Sequence, residues 1–346
     1  MENKHEQHRF PYKWNIADGY PAKGIEAHGK RVFGTFICGG GSSMGYKLAG
    51  YHHLGGVELD PKIAAIYKDN HHPEYLYNMD IRDFNKLDGL PAELYNLDML
   101  DGSPPCSTFS TAGQREGAWG KEKKFAEGQK LQTLDDLVFV YCDTIAKLMP
   151  KVFLLENVSG LVKGNAKSYA RQIVKRLDEI GYKTQVFLLN AATMGVPQAR
   201  ERVFFIGHRK EFDLPKLVMN FNEAPILFGE IQEDIPGLVD MSDYQHEVWK
   251  HRVKSDTNFS HILQRIEKRN AWFNYQIIHS DRVAPTKTTG GFDYLYDQPR
   301  ACSEYEVKCV STFPARLQIQ WSKPTEFLNR HERASDYDCA SVLSDL

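Results

Sequence analysis

The chain has no apolar run long enough to cross a bilayer, and Met1-Glu2-Asn3-Lys4-His5 starts no signal peptide. No membrane role is therefore expected. Cysteine is sparse: six residues (38, 106, 142, 302, 309 and 339), with no Cys-x-x-Cys pair. That spacing argues against a zinc site and against a disulfide framework, and it suits a reducing cytosol. No metal site is expected. An excess of one charge is also lacking. Forty-three Lys and Arg face 45 Asp and Glu, a net charge of −2. Nothing global announces nucleic acid, although a local basic face could still do that work. What remains is 346 residues, 42% hydrophobic and 25% charged. This is the composition of a soluble globular protein with one large domain or two of ordinary size.

The most informative stretch is Asp101-Gly102-Ser103-Pro104-Pro105-Cys106-Ser107-Thr108-Phe109-Ser110. Leu97-Asp98-Met99-Leu100 before it reads as a buried strand, and Gly102, Pro104 and Pro105 end that strand in a sharp turn. Cys106 then stands at the carboxyl edge of the strand, where open α/β sheets bind ligands. A cysteine there is a candidate nucleophile. The commoner fate of a lone cysteine is a buried structural thiol.

Residues 1–30 read as an irregular lead-in. Val32 to Ile37 is a strand pattern that runs into Cys38-Gly39-Gly40-Gly41. Glycines after a first strand let the backbone approach a ligand, and the next helix offers its N-terminal amides. Gly56 to Asp60 reads as a second strand, and Glu58 there suits a ribose diol. A solvated strand end is the plainer alternative. Pro61 to Asn70 looks helical. Asn78-Met79-Asp80-Ile81 begins a third strand–helix step.

The Gly-rich turn, Glu58, Asp80-Ile81 and Ser-Pro-Pro-Cys resemble the first four motifs of the C5-cytosine DNA methyltransferases, in order. The resemblance implies an α/β fold: a Rossmann-like methyltransferase sheet with a smaller, irregular target-recognition domain. It implies S-adenosylmethionine as cofactor, held by Phe36, Gly39, Gly40, Gly41, Glu58, Asp80, Ile81 and Pro104. It makes Cys106 the nucleophile. One departure is visible: Ile37-Cys38 stands where the family has a small Ala-Gly pair.

Lys121 to Gln132 is polar and reads as a loop able to close over a substrate. Leu134 to Leu148 has helical spacing. Val152 to Leu155 is a buried strand that delivers Glu156-Asn157-Val158 to the edge that carries Cys106. Desolvation beside that strand end is expected to favour a protonated Glu156, which suits a proton donor or a shared-proton partner, with a plain cap of the next turn as the alternative. Ser168 to Ile180 reads as an amphipathic helix ending at Gly181, and Tyr182 to Leu189 as a strand. Gln198, Arg200 and Arg202 alternate, so an extended segment points them to one side. Glu156 matches the family's sixth motif and Gln198-x-Arg200-x-Arg202 the eighth. The resemblance places Glu156, Arg200 and Arg202 at the target cytosine.

From about 212 the α/β rhythm is lost, and residues 212–285 read as irregular. His246 to Asn270 is basic and aromatic, with Lys250, Arg252, Lys254, Arg265, Lys268 and Arg269 among Trp249, Phe259 and Trp272. That composition suits phosphate contact, with a solvated helix face as the competitor. Arg300 to Pro314 resembles the ninth motif, a helix ending in Phe-Pro. Ser110, Gln198, Lys250, Arg252 and Arg300 are expected to contact substrate. The expected division is 1–30 lead-in, 31–211 catalytic and cofactor-binding, 212–299 target recognition, 300–314 return helix and 315–346 atypical tail.

The resemblance implies a cytoplasmic, monomeric enzyme of a bacterial cell or phage-infected host, of restriction-modification type, acting on double-stranded DNA. Two alternatives stay open: a tRNA cytosine-5 methyltransferase, and a catalytically weak DNA-binding homologue. The second arises from residues 315–346, which lack the family's tenth motif. Codons permitted by Arg316 to Trp321, read one nucleotide later, allow Asp-Tyr-Lys-Phe-Asn-Gly. Those of Arg330 to Cys339 allow Gly-Met-Ser-Val-Pro-Pro-Ile-Met-Thr. Both are family segments in one shifted frame, so a frameshift near Pro314–Ala315 is expected, with a poorly packed tail and weak cofactor binding.

Overall fold

The computed structural model describes residues 19–105, 136–287 and 292–313. Cys106, Ser110, the loop 121–132, most of the lead-in and the tail 315–346 lie outside them. Within the described residues the chain forms two compact units. One comprises Tyr20–Leu189 with Glu201–Met219, and the other takes Asn190–Arg200 and the chain from Asn220 on. The sequence placed this step at 211–212. Among the described residues no helix is long and apolar enough to cross a membrane.

The first unit is built on a sheet. In chain order it contains β1 (Arg31–Thr35), α1 (Gly41–Leu48), β2 (His52–Glu58), α2 (Pro61–His71), β3 (Tyr75–Asn78) and α3 (Ile81–Phe84). Then come β4 (Met99–Gly102), α4 (Leu137–Leu148), β5 (Val152–Val158), α5 (Lys167–Ile180) and β6 (Tyr182–Asn190). After β7 (Gln198–Ala199), which belongs to the other unit, β8 (Glu201–Arg209) returns to the sheet. The strand order is β3-β2-β1-β4-β5-β8-β6. Strands β1 to β5 pair in parallel and β8 pairs antiparallel to β5. This is the mixed α/β sheet the sequence implies.

Local chemistry explains the helices. Asp60 caps α2 by accepting from the Lys62 and Ile63 amides, and Pro61 needs no donor in the first turn. Gly181 ends α5 at φ 113, a left-handed position that suits glycine. Phe33, Leu100, Phe153, Leu155 and Phe205 from four strands pack with Val138, Tyr141, Ile145, Ile173 and Leu177 of α4 and α5.

In the second unit come α6 (Asp243–Lys250), α7 (Phe259–Glu267), β9 (Tyr275–Ile278), β10 (Ala284–Pro285), β11 (Phe292–Leu295) and α8 (Glu304–Val310). Strand β10 pairs with β7 and β11 with β9. The segment read as irregular therefore holds two helices. Ser242 forms a capping box with Gln245, and the Asn258 side chain accepts from the His261 amide. The aromatic residues read as a phosphate-contacting surface are largely core. Phe259 and Trp249 are buried and pack with Val248, Ile262, Leu263, Ile277 and Tyr294.

Candidate active site

The sheet order fixes where a ligand belongs. The chain runs from β1 outward through β2 to β3, then returns to β4 on the other side of β1. Such a reversal leaves a crevice at the carboxyl ends of the two central strands. The Gly-rich turn follows β1, and Ser103-Pro104-Pro105 follows β4. Register aligns Val57, Thr35, Gly102 and Leu155 across β2, β1, β4 and β5. Glu58, Phe36, Ser103 and Glu156 each stand one residue further toward that edge.

In the Gly-rich turn, Phe36, Cys38 and Gly40 have φ 57, 47 and 92. The Cys38 amide donates to Glu58 Oε2 at 3.0 Å, and the Asp60 amide to Glu58 Oε1 at 2.8 Å. The two amides thus hold one oxygen each of the Glu58 carboxylate. Ile37 is buried, and its Cγ2 fills the space that Cβ atoms on Gly34 and Gly56 would need. The larger residue at 37 is thus matched by two glycines on neighbouring strands. Cys38 adopts the left-handed backbone that glycine accepts more readily.

Phe36 and Ile81 share an apolar cluster with Leu137 and Val140. Asp80 caps α3, its Oδ1 accepting from the Arg82 amide at 2.8 Å, and Arg82 also pairs with Asp136. Gly39 is half-buried, and Gly40 and Gly41 are buried. A Gly-rich turn leading into α1, and a carboxylate already fixed by two backbone amides, fit a cofactor with a ribose.

On the β4 side, a Cβ on Gly102 would strike the Tyr141 ring and Thr35 Oγ1. Pro104 is buried, and its carbonyl accepts from Asn157 Nδ2 at 3.0 Å. The Asn157 Oδ1 in turn accepts from the Val158 amide at 2.9 Å. Asn157 therefore ties β5 to the chain two residues before Cys106. Sequence reasoning assigned it no role, although it stands beside Glu156.

Glu156 is 5% exposed. Arg202 Nε stands 3.0 Å from its Oε1, and β5 pairs Val158 with Arg202 of β8. The expectation for Glu156 weighed burial alone, whereas the structure supplies a cation beside it. Both residues belong to the sheet unit, so this part of the site is assembled within one body.

Gln198 and Arg200 lie in the other unit. The chain leaves the β7–β10 pairing and joins β5 between Arg200 and Glu201, so the three residues do not share one continuous strand. Gln198 is buried and donates Nε2 to the Val310 carbonyl at 3.1 Å. Arg200 is also buried. That bond ties β7 to α8.

Arg300 lies fully inside its unit. It is 0% exposed. Its guanidinium meets Glu306 Oε1 at 2.7 Å and Oε2 at 2.8 Å, the Glu233 carbonyl at 2.6 Å and Gln298 Oε1 at 2.6 Å. Hydrogen bonding to Glu306 holds its proton more firmly still. Enclosed and engaged in this way, the guanidinium acts as a brace inside its unit.

Arg252 is likewise engaged. Its guanidinium carbon lies 3.2 Å from the Trp249 ring centroid, and its Nε donates to the Tyr296 carbonyl at 2.5 Å. Burial lowers its pKa. Arg265 makes two bonds to the buried Asp256. Lys250 stays half exposed in an ion pair with Glu247 at 2.5 Å. Arg252 and Arg265 are thus engaged within their own unit, whereas Lys250, Lys254, Lys268 and Arg269 stay exposed.

Comparison with known proteins agrees with this architecture. Type II methyltransferase M.FnuDI of Fusobacterium nucleatum is 32% identical over 184 residues, covering 53% of this chain and 48% of the relative. M.NgoPII of Neisseria gonorrhoeae is 33% identical over 184 residues, covering 53% and 49%. The match spans about half the length of these curated relatives. Among solved structures, a prophage-encoded protein from E. coli gives a TM-score of 0.63 at 16% identity, over 91% of this chain and 99% of that one. DNMT2 of Spodoptera frugiperda gives 0.59 at 17%, over 91% and 97%. At such identities these likenesses show the fold. Residues 31–330 match the profile described as C-5 cytosine-specific DNA methylase, and the chain therefore belongs to that family.

Proposed function

We propose that this chain transfers a methyl group from S-adenosylmethionine to C5 of cytosine in double-stranded DNA, through a covalent bond between Cys106 and C6. The single observation that carries the reading is the hydrogen bond from Asn157 to the Pro104 carbonyl, next to the Glu156–Arg202 pair. It fixes the chain leading to Cys106 beside a buried carboxyl at the sheet's switch point. The target base must leave the duplex, because C5 and C6 are out of reach in the stack.

When bound, S-adenosylmethionine supplies an electrophilic methyl group and leaves as S-adenosylhomocysteine. Glu58 and the Gly-rich turn bind and orient it. Cys106, as thiolate, adds to C6 and sends the π electron pair of the C5=C6 double bond to C5. Glu156 stabilises the ring at N3, and Arg202 holds Glu156 in place. Arg200 is assigned to O2. After methylation at C5, a base removes the C5 proton, the C5=C6 double bond re-forms and Cys106 departs as thiolate.

Duplex DNA carrying 5-fluorocytosine tests the proposal, because fluorine cannot leave as a cation. A protein–DNA adduct stable in denaturing gels, absent with Cys106→Ser, is expected. Failure to form it when DNA and cofactor both bind would sink the covalent mechanism. Methylation of tRNA instead of duplex DNA would move the assignment to the tRNA enzyme. A Cys106→Ser chain with unchanged cellular effect would favour a binding protein.

A further inference from the structure

His71 is the last residue of α2, and its ring is buried against the Gly-rich turn. It stacks on Tyr67, with centroids 4.6 Å apart and planes 18° apart. A Cβ on Gly40 would collide with the His71 ring and with Tyr67. The turn's backbone therefore rests directly on the imidazole.

The surroundings are polar and buried. Lys47 Nζ of α1 lies 3.5 Å from His71 Nδ1 and donates to the His71 carbonyl at 3.0 Å. Ser43 Oγ lies 3.0 Å from Tyr67 OH and 3.2 Å from His53 Nε2 of β2. Tyr67 OH lies 3.4 Å from His53 Nδ1. His52 acts on His53, His72 acts on His71, and Asp101 and Tyr20 act on Tyr67. Burial, then Lys47, holds His53 down to about 3 and His71 well below the ordinary imidazole value. A backbone hydrogen bond with Gly39 pulls His71 the other way.

We propose that His71 is the positioning residue of the cofactor turn: a neutral ring that holds Gly39–Gly41 in its binding form and releases them when acid charges it. The proposal rests on the reading of that turn as the S-adenosylmethionine cradle. Closed, the ring is buried with a cation beside it. Opened, it takes up a proton at its ordinary value near 6.5, so the open form binds more protons. The closed turn is thus fully favoured above about pH 6.5. Below that, opening gains up to about tenfold per pH unit from His71. His53, in the same network, adds a second proton in the same sense.

Hydrogen exchange of residues 36–48 at pH 7.5 and 5.5, corrected for intrinsic exchange, reads the opening directly. Titration of S-adenosylmethionine at both pH values reads its consequence. The wild type is expected to open at least tenfold more at pH 5.5 and to bind cofactor more weakly there. In His71→Gln the pH-dependent part of both should shrink about tenfold, leaving the contribution of His53. Equal pH dependence in the variant and the wild type overturns the proposal. So does a wild-type turn whose opening is flat with pH, which stands as a test even if His71→Gln does not fold. Acid-dependent opening without any cofactor binding at pH 7.5, in this chain and in its frame-restored version alike, supports the role of His71 in the turn and refutes the cradle reading.

Discussion

Arg300→Met separates bracing from substrate contact. In the structure the guanidinium makes two bonds to Glu306 and one each to Gln298 and the Glu233 carbonyl. Glu306 is also 0% exposed, and it accepts from the Glu233 and Ser303 amides. Methionine keeps much of the side-chain length but leaves the Glu306 carboxylate buried without its cation. Breaking a buried pair from one side costs about 3–5 kcal/mol. At roughly 2–4 °C per kcal/mol for a body of 150–250 residues, the midpoint should fall by about 6–20 °C. Thermal unfolding followed by circular dichroism measures this. Arg300→Met with Glu306→Met removes both charges and should recover a large part of the loss. An unchanged midpoint combined with weaker DNA binding would refute the brace and return Arg300 to the substrate.

Two further outcomes are expected. Asn157→Ala leaves the Pro104 carbonyl without its donor, at about 1–3 kcal/mol in stability. It should also slow single-turnover methylation by up to about 100-fold through a misplaced Cys106, and an unchanged rate would show that the tie does not position the cysteine. For the tail, we propose that shifting the frame at Pro314–Ala315 restores the missing cofactor motif. Sequencing the gene across the Phe313-Pro314 codons checks the frame. A restored chain that binds S-adenosylmethionine no more tightly than this one would count against the tail's role.

The sheet was legible because its signals are local. Val152 to Leu155 is an apolar run, Pro61 follows a capping Asp60, and Gly181 ends a helix of clear amphipathic spacing. Each is set by residues within a few positions. The second unit was not legible in the same way. Phe259 and Trp249 among lysines and arginines read as a surface, because sequence does not show that β9 and β11 pair around them. Arg252 and Arg265 looked available for phosphate for the same reason, since Trp249 stacking and the Asp256 pair form only in the folded chain. In the site, Glu58 could be placed at its strand end from pattern alone, and Glu156 on the strand that carries it, although β5 runs on to Val158. Their partners could not. The Arg202 contact requires β8 to lie beside β5, a pairing across some 45 residues that no local periodicity encodes.

That placement of β8 also bears on synthesis. Strand β6 emerges from the ribosome before β8, yet β8 lies between β5 and β6 in the finished sheet. Until Arg209 has been made, β5 presents an open edge and β6 has no place in the sheet. An unpaired apolar edge invites wrong partners, and a strand that must insert late raises the sequence separation of the closing contacts. The nascent chain is therefore most exposed to misassembly between about residues 160 and 209. A chain stopped shortly after Met219 would already hold every strand of this sheet, whereas one stopped at Leu189 would lack an interior strand and strand its neighbours.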